Sequence, residues 1–119
     1  MITDKVVEVI NGNEFSIIKF LNFIDVSTIE KARVIVAEQL PNKCAQIIID
    51  LDSTDFLDSH GVGFFVSLLK RTHARNGHLF FSGAHDQPLS VLKMVGFNGN
   101  LVTYCDNVKQ AADIIQNSN

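Results

Sequence analysis

The chain has 119 residues, of which 46% are hydrophobic, and its formal net charge at pH 7 is −3. This size and apolar content predict one compact domain over residues 1–119 that folds without a metal, a disulfide or a cofactor. The weak acidic charge excludes the basic footprint of nucleic-acid binding, and no apolar run approaches the roughly 20 residues needed for membrane insertion. Met1–Lys5 lacks the pattern of a secretory signal, so we expect a cytoplasmic protein.

The first two predicted elements form a β-hairpin. Val6 to Ile10 and Glu14 to Leu21 have the composition of strands, and Asn11-Gly12-Asn13 between them offers residues that adopt positive φ in tight turns. After the second strand, Ser27-Thr28-Ile29-Glu30 matches a capping box in which Ser27 is the N-cap. This motif predicts a helix, which Pro41 ends because proline lacks a backbone N–H.

A buried strand and a second helix follow. Residues 44–51 are almost entirely apolar up to Asp50, which is typical of a central strand covered on both faces. The polar run Asp52-Ser53-Thr54-Asp55 connects this strand to a helix that begins at Ser59 and continues to Ala74. Asn76-Gly77 ends that helix with a residue pair suited to the left-handed conformation.

The last four elements complete an alternating pattern of strands and helices. Strands are predicted at residues 79–82 and 101–104, and a helix between them starts at Pro88 and stops at Gly96. Asp106-Asn107 caps a terminal helix. We therefore predict an α/β sandwich whose mixed, largely parallel sheet has an N-terminal hairpin and about four helices.

Ser59 is the first candidate functional residue. It is predicted in the first turn of a helix, where unpaired backbone N–H groups and the positive end of the helix dipole stabilise negative charge. That position makes Ser59 a candidate phosphate acceptor. Serine and aspartate are also among the commonest helix N-caps, so capping alone accounts for Asp58 and Ser59 without any function.

Catalytic interpretations of the same segment are poorly supported. Neighbouring residues in a helix point about 100° apart, so Ser59 and His60 do not converge as nucleophile and base. The Gly-x-Ser-x-Gly elbow of hydrolases is incomplete, because Leu57 occupies the place of its first glycine. A phospho-aspartate receiver needs an acidic pair near the first strand, where this chain has only Glu8. We therefore predict that the protein is not an enzyme.

Metal and disulfide chemistry are not predicted either. The histidines lack the close paired spacing of zinc ligands. They are His60, His73, His78 and His85. Cys44 and Cys105 are isolated in the sequence, and in a cytoplasmic chain they are predicted to be reduced packing residues.

Three segments form one combined pattern that covers nearly the whole chain. In the first, Ile47-Ile48-Ile49-Asp50-Leu51 leads through Phe56-Leu57-Asp58-Ser59 to the helix start Gly61-Val62-Gly63. The second is Asn22-Phe23-Ile24-Asp25 with Thr28, and the third is Leu92-Lys93-Met94-Val95-Gly96-Phe97. Together they resemble the STAS domain, the family of bacterial anti-sigma factor antagonists, in which the second segment is usually Gly-x-Leu-Asp followed by a helix-starting threonine.

The resemblance implies a switch protein without enzymatic activity. Ser59 stands at the family's phosphoacceptor, which an anti-sigma-type serine kinase phosphorylates and a cognate phosphatase dephosphorylates. Asp58 stands at the aspartate before it, and Asp25 at an acidic position near the site. With His60 and Gly61 they are the expected phosphosite environment and partner-binding residues. The unphosphorylated form is expected to bind the partner, and phosphorylation at Ser59 to release it.

The chain departs from the family pattern at two positions. His60 stands where many members have a second serine or a threonine, which leaves the identity of the kinase open. Asn22 replaces the usual glycine, and asparagine tolerates positive φ better than other residues. An alternative function is a constitutive subunit of a lipid-transport or larger signalling assembly. A threonine at position 59 would have favoured that alternative, whereas serine favours the switch.

Overall fold

The computed structural model describes residues 5–118, which form one five-stranded sheet with helices on both faces. The elements are β1 (Val7–Asn11), β2 (Ser16–Phe20), α1 (Val26–Gln39), β3 (Gln46–Asp50), α2 (Ser59–Ala74), β4 (His78–Ser82), α3 (Asp86–Met94), β5 (Thr103–Cys105) and α4 (Val108–Asn117). The strands lie in chain order, with β1 antiparallel to β2 and all later pairs parallel. The predicted fold class is confirmed.

Alternating side chains of the central strands divide the interior into two cores. On β3, Ile47 and Ile49 pack into the larger core with residues of α1, α2 and α3, whereas Ile48 faces α4 on the other side. On β4, Phe81 and Phe80 divide in the same way. Both faces of these strands are therefore covered, which explains the nearly continuous apolar run in the sequence.

The parallel arrangement brings three helix starts to one edge of the sheet. The helices α1, α2 and α3 follow the carboxyl ends of β2, β3 and β4, which point the same way. Beneath this layer Phe65 of α2 contacts Phe20 and Phe81, with ring centroids 5.6 and 5.4 Å apart. This buried aromatic contact fixes α2 against the sheet and leaves its first turn at the edge.

The hairpin connection differs from the sequence prediction. The prediction that Asn11-Gly12-Asn13 provides positive φ is wrong, because none of these residues adopts it. Asn22, the replacement for the family glycine, has no positive φ either. Residues 12–15 connect the strands, and the Gly12 N–H donates to the Phe15 carbonyl over 2.9 Å. A loop of this length closes without the mirror-image turn that a two-residue hairpin requires.

Two predicted helix starts are also wrong. The N-cap of α1 is Asp25 rather than Ser27, and the capping box is completed by Thr28 instead of Glu30. Two overlapping cap motifs occur in this segment, and the carboxylate of the earlier one takes the backbone N–H groups. Helix α3 begins at Asp86, two residues before Pro88. Proline is compatible with the whole first turn, because those N–H groups have no partner within the helix.

The later stop signals are partly confirmed. Asn76 ends α2 with a φ of 57°, and Gly96 follows α3 with a φ of 102°. Gly77 has no positive φ. It is needed because an added Cβ would lie 1.7 Å from the Ala45 carbonyl oxygen. The strand predicted from Leu101 is shorter, since the Leu101 N–H donates to a turn carbonyl instead of a neighbouring strand.

Candidate functional site

A single parallel bridge joins the segments that precede α1 and α2. Ile24 pairs with Leu57, with the Ile24 N–H donating to the Phe56 carbonyl over 2.8 Å and the Asp58 N–H donating to the Ile24 carbonyl over 3.0 Å. The residues after this bridge, Asp25 and Asp58, are the N-caps of the two helices. The bridge thus places two acidic caps and two helix N-termini next to one another.

Each cap is held by backbone donors of its own helix. The Asp25 carboxylate accepts from the N–H groups of Ser27 and Thr28 and, over 2.6 Å, from the Ser27 hydroxyl. These hydrogen bonds, led by that of the Ser27 hydroxyl, lower the pKa of Asp25 below its usual range. The Asp58 carboxylate accepts from the His60 and Gly61 N–H groups. Each carboxylate is thereby oriented toward the positive end of its helix.

Ser59 is the first residue of α2 and is exposed to solvent. Among residues 5–118 its hydroxyl makes no hydrogen bond. Three other hydroxyls nearby are engaged: Ser27 donates to Asp25, Thr54 is buried and donates to a backbone carbonyl, and Ser67 donates to the Phe64 carbonyl. Ser53 is exposed and without a hydrogen bond among the described residues, but it lies in the connector and not in a helix. Ser59 therefore offers an accessible, uncommitted oxygen at a helix N-terminus.

His60 turns back toward the cap rather than toward the serine. Its Nδ1 lies 3.2 Å from Oδ2 of Asp58, and more than half of its side chain is exposed. There is no hydrogen bond between His60 and the Ser59 hydroxyl within the described part of the chain. Ser59 and His60 therefore do not form the hydrogen-bonded pair of nucleophile and base that covalent catalysis uses.

Gly61 packs the first turn of α2 directly onto the bridge. A Cβ on this residue would lie 2.4 Å from Cδ1 of Leu57 and 2.5 Å from Cγ2 of Ile24. Both of those side chains are about 1% exposed, so neither has free space to move into. The bare glycine backbone is what allows the helix start to approach the bridge so closely.

Three exposed apolar side chains surround the helix starts, and the sequence argument did not assign them a role. Phe23 and Val26 flank the Ile24–Asp25 segment, and Phe56 precedes Leu57 on the other side of the bridge. Their exposed fractions are 43%, 60% and 45%. Exposed aromatic and aliphatic groups beside a polar centre are typical of protein–protein interfaces.

The N-cap and the first turn of α3 contribute two contacts that local sequence patterns do not indicate. The Gln87 side-chain amide accepts from the Leu57 N–H and donates to the Leu57 carbonyl, both over 2.9 Å. His85 Nε2 lies 3.2 Å from the Asp52 carbonyl, and Nδ1 lies 3.0 Å from Oδ2 of Asp86. The hydrogen bonds with Asp86 and Asp52 raise the pKa of His85 above its usual range. The contacts of Gln87 with Leu57 and of His85 with Asp52 join residues 30 and 33 positions apart, so no local sequence pattern indicates them.

Neither a metal-binding cluster nor a membrane-spanning helix occurs in residues 5–118. No group of three or more His, Cys, Asp and Glu side chains there could hold a metal ion. No helix in that range is long and apolar enough to cross a membrane. Both cysteines are free thiols in the structure. The first four residues, on which the absence of a secretory signal was argued, lie outside the described residues.

The family model of the STAS domain matches residues 4–111. The match spans most of the sequence and includes both bridged segments and α3. The chain therefore belongs to the STAS domain family, as its sequence resemblance indicated.

Several solved structures similar to this chain are anti-sigma factor antagonists, and others include the murine Slc26a9 anion transporter, with a TM-score of 0.65 at 16% identity over 87% of this chain and 18% of its own. A Thermotoga maritima protein assigned to the antagonist class has a TM-score of 0.82 at 16% identity, over 92% of this chain and 94% of its own. SpoIIAA, a Bacillus cell-fate determinant, gives a TM-score of 0.73 at 18% identity in both its unphosphorylated and its phosphorylated form. The match covers 92% of this chain and 97% and 98% of the two SpoIIAA chains. None of the curated protein sequences compared matches significantly.

Proposed function

We propose that this protein is a phosphorylation-controlled binding switch in the manner of an anti-sigma factor antagonist. The unphosphorylated form binds a kinase or anti-sigma-type regulator, the kinase phosphorylates Ser59, and the phosphorylated form is released until a cognate phosphatase restores it. The chain acts as a single cytoplasmic domain with no catalysis, cofactor or metal of its own. Membership of the STAS family and the two SpoIIAA structures support this function.

The observation that carries the proposal is the state of the Ser59 hydroxyl. It is exposed and has no hydrogen bond among the described residues, and it lies at the N-terminus of a 16-residue helix. A kinase active site can reach such a hydroxyl without first breaking a contact. The backbone N–H groups and dipole of α2 then stabilise the phosphate by about 0.3–1 kcal/mol.

Nearby acidic groups oppose that stabilisation. A phosphoserine carries about −1.5 to −2 charges at neutral pH. In water, a carboxylate such as Asp58 at a distance of about 4 Å repels each unit of charge by on the order of 1 kcal/mol. The net cost is about 1 kcal/mol, which is small beside the roughly 5–15 kcal/mol of a typical domain's unfolding free energy, so phosphorylation leaves the isolated domain folded.

At a docked interface the balance changes, because the phosphate loses water. Even a desolvation penalty of about 3 kcal/mol lowers the affinity roughly a hundredfold. Phe23, Val26 and Phe56 are exposed and lie one or two residues along the chain from the bridge that places the two acidic caps together. A partner that covers these apolar groups also covers Ser59. Phosphate on Ser59 therefore blocks binding by charge and desolvation rather than by unfolding.

Binding measurements on two substitutions at Ser59 test this function. The partner is the protein that Ser59→Ala retains from a lysate of the organism's own cells, and titration calorimetry then measures its affinity for each variant. Ser59→Ala should bind like the unphosphorylated protein, and Ser59→Glu at least tenfold more weakly, because one carboxylate replaces only part of a phosphate's charge. Ser53→Glu, in the exposed connector, is the matched control and should bind normally.

Equal affinities for Ser59→Ala and Ser59→Glu would contradict the switch. That result, with tight binding by both, is what a constitutive subunit of a transport or signalling assembly would give. Melting curves of each variant separate loss of binding from loss of folding. If Ser59→Glu binds weakly only because it has unfolded, the charge mechanism is wrong.

A further inference from the structure

Leu57 is held between two different kinds of hydrogen-bonding partner. On one side the backbone of Ile24 bonds to the residues that flank Leu57, through the Phe56 carbonyl and the Asp58 N–H. On the other side the backbone of Leu57 itself bonds to the Gln87 side chain, with both distances at 2.9 Å. The Gln87 amide thus takes the position that a third strand would occupy.

No other group replaces this contact. Among the described residues, the Leu57 N–H and carbonyl have no other hydrogen-bond partner, and the Leu57 side chain is about 1% exposed. Buried backbone groups without partners are strongly unfavourable. A primary amide has one donor end and one acceptor end at the required spacing, so glutamine satisfies both backbone groups at once.

The contact reaches Ser59 through two short steps. The Leu57 side chain lies against Gly61, where even an added Cβ has no room, so a shift of Leu57 displaces the first turn of α2. Asp58 follows Leu57 directly and caps the same turn through the His60 and Gly61 N–H groups. Ser59 lies between these two anchored points.

The start of α3 is itself fixed at its position. Asp86, the residue before Gln87, has a φ of 49°, a left-handed conformation that non-glycine residues rarely adopt. His85 before it contacts the Asp52 carbonyl at the other end of the connector. His85 and Gln87 therefore hold the connector at Asp52 and at Leu57, and the constrained backbone of Asp86 lies between them.

We propose that Gln87 is a positioning residue, which holds the Ser59 turn in the geometry that its kinase requires. This inference rests on the proposed function and extends it, because it adds a residue of α3 to the phosphoacceptor site. Gln87 does not touch the transferred phosphate and acts through Leu57.

Amide hydrogen exchange of Gln87→Glu tests the positioning itself. At neutral pH the carboxylate still accepts from the Leu57 N–H but repels the Leu57 carbonyl. Protection of the Leu57 and Gly61 amides should therefore fall about tenfold relative to the native protein. A protonated carboxyl has the donor and acceptor of an amide, so protection should return below the carboxyl pKa. Gln116→Glu in exposed α4 is the control and should track the native protein at every pH.

Phosphotransfer kinetics test the consequence for function. A clarified lysate of the organism's own cells with ATP serves as the kinase source, and the purified domain is the substrate. Gln87→Leu should lower the apparent kcat for Ser59 about tenfold, with a smaller change in KM, because the serine is bound but misplaced. A purely structural role would lower the melting temperature and leave both constants unchanged. Gln116→Leu should match the native protein.

The possible results separate the two proposals. Native kcat and KM for Gln87→Leu, or unchanged Leu57 and Gly61 protection in Gln87→Glu at neutral pH, would overturn the role of Gln87. If the native protein takes no phosphate on Ser59, the proposed function fails and the kinase role of Gln87 fails with it. The exchange experiment then still decides whether Gln87 positions the turn.

Discussion

Replacing Gly61 with alanine should destabilise the domain, whereas the same change two residues later should stabilise it. Both glycines lie in α2, where alanine favours the helix by roughly 0.5–1 kcal/mol. At Gly63 nothing lies within 4 Å of an added Cβ, so only this gain applies. At Gly61 the added methyl group would lie 2.4 and 2.5 Å from Leu57 and Ile24.

The packing penalty at Gly61 outweighs the helix gain. The Cγ2 atom of Ile24 is attached to a branched Cβ next to the backbone, and neither Ile24 nor Leu57 has free space, so relief requires separating α2 from the bridge. Overpacking of this kind costs about 1–3 kcal/mol. Gly61→Ala should therefore be about 1–3 kcal/mol less stable than Gly63→Ala, since the helix contribution nearly cancels between the two variants.

Denaturant titration of both variants and the native protein measures this difference. The order of stability should be Gly63→Ala, native, Gly61→Ala, with unchanged slopes in the linear extrapolation. Equal stabilities for the two variants would refute the packing argument, because the bridge would then have room for a methyl group.

Three further predictions concern the cap, the histidine and metals. Asp58→Ala should lower stability by about 1 kcal/mol through loss of the cap, measured by thermal melting, whereas Asp113→Ala on exposed α4 should change it by less than about 0.5 kcal/mol. The pKa of His85 is raised in the folded protein, so the protonated imidazole stabilises the folded state at low pH. This contribution to the free energy of unfolding is lost as the pH rises through the raised pKa. The difference in melting temperature between native and His85→Gln should therefore shrink from about pH 5 to about pH 9, and a constant difference would contradict this. Chelator treatment should leave melting and partner binding unchanged, and a clear fall in either would reveal a metal requirement.

The strands and helices follow from local patterns in the sequence. The apolar run at residues 44–51 identifies a strand covered on both faces, and its alternating side chains occupy two cores in the structure. The polar connector and the start of α2 at Ser59 are also where the pattern predicts them. These features depend on neighbours in the chain, so periodicity and turn residues are sufficient to locate them.

Competing local signals explain the errors at the helix starts. Asp25 and Ser27 are both good N-caps, and sequence preference alone does not rank two that overlap. In the folded chain the bridge at Ile24 fixes the backbone of the next residue, so Asp25 and not Ser27 becomes the N-cap. Asp86 is harder to foresee, because a left-handed aspartate at a helix start has no sequence signature.

The parts of the site that could not be predicted are contacts between distant segments. The pairing of Ile24 with Leu57 and the hydrogen bonds of Gln87 join residues about 30 positions apart. Their residue types are common in many other environments. Only the packing of α1, α2 and α3 at one edge of the sheet gives these residues a relation to Ser59.

The central claim is that Ser59 carries regulatory phosphate, and phosphopeptide mapping of the protein isolated from its own cells tests it most directly. The account predicts that most of the phosphate lies on Ser59. It also predicts that Ser59→Ala, expressed from the same locus, gains no phosphate elsewhere in α2. Phosphate found mainly on Ser53, Thr54 or Ser67, or a Ser59 that carries no phosphate even in the protein pool that has been released from its partner, would contradict the account.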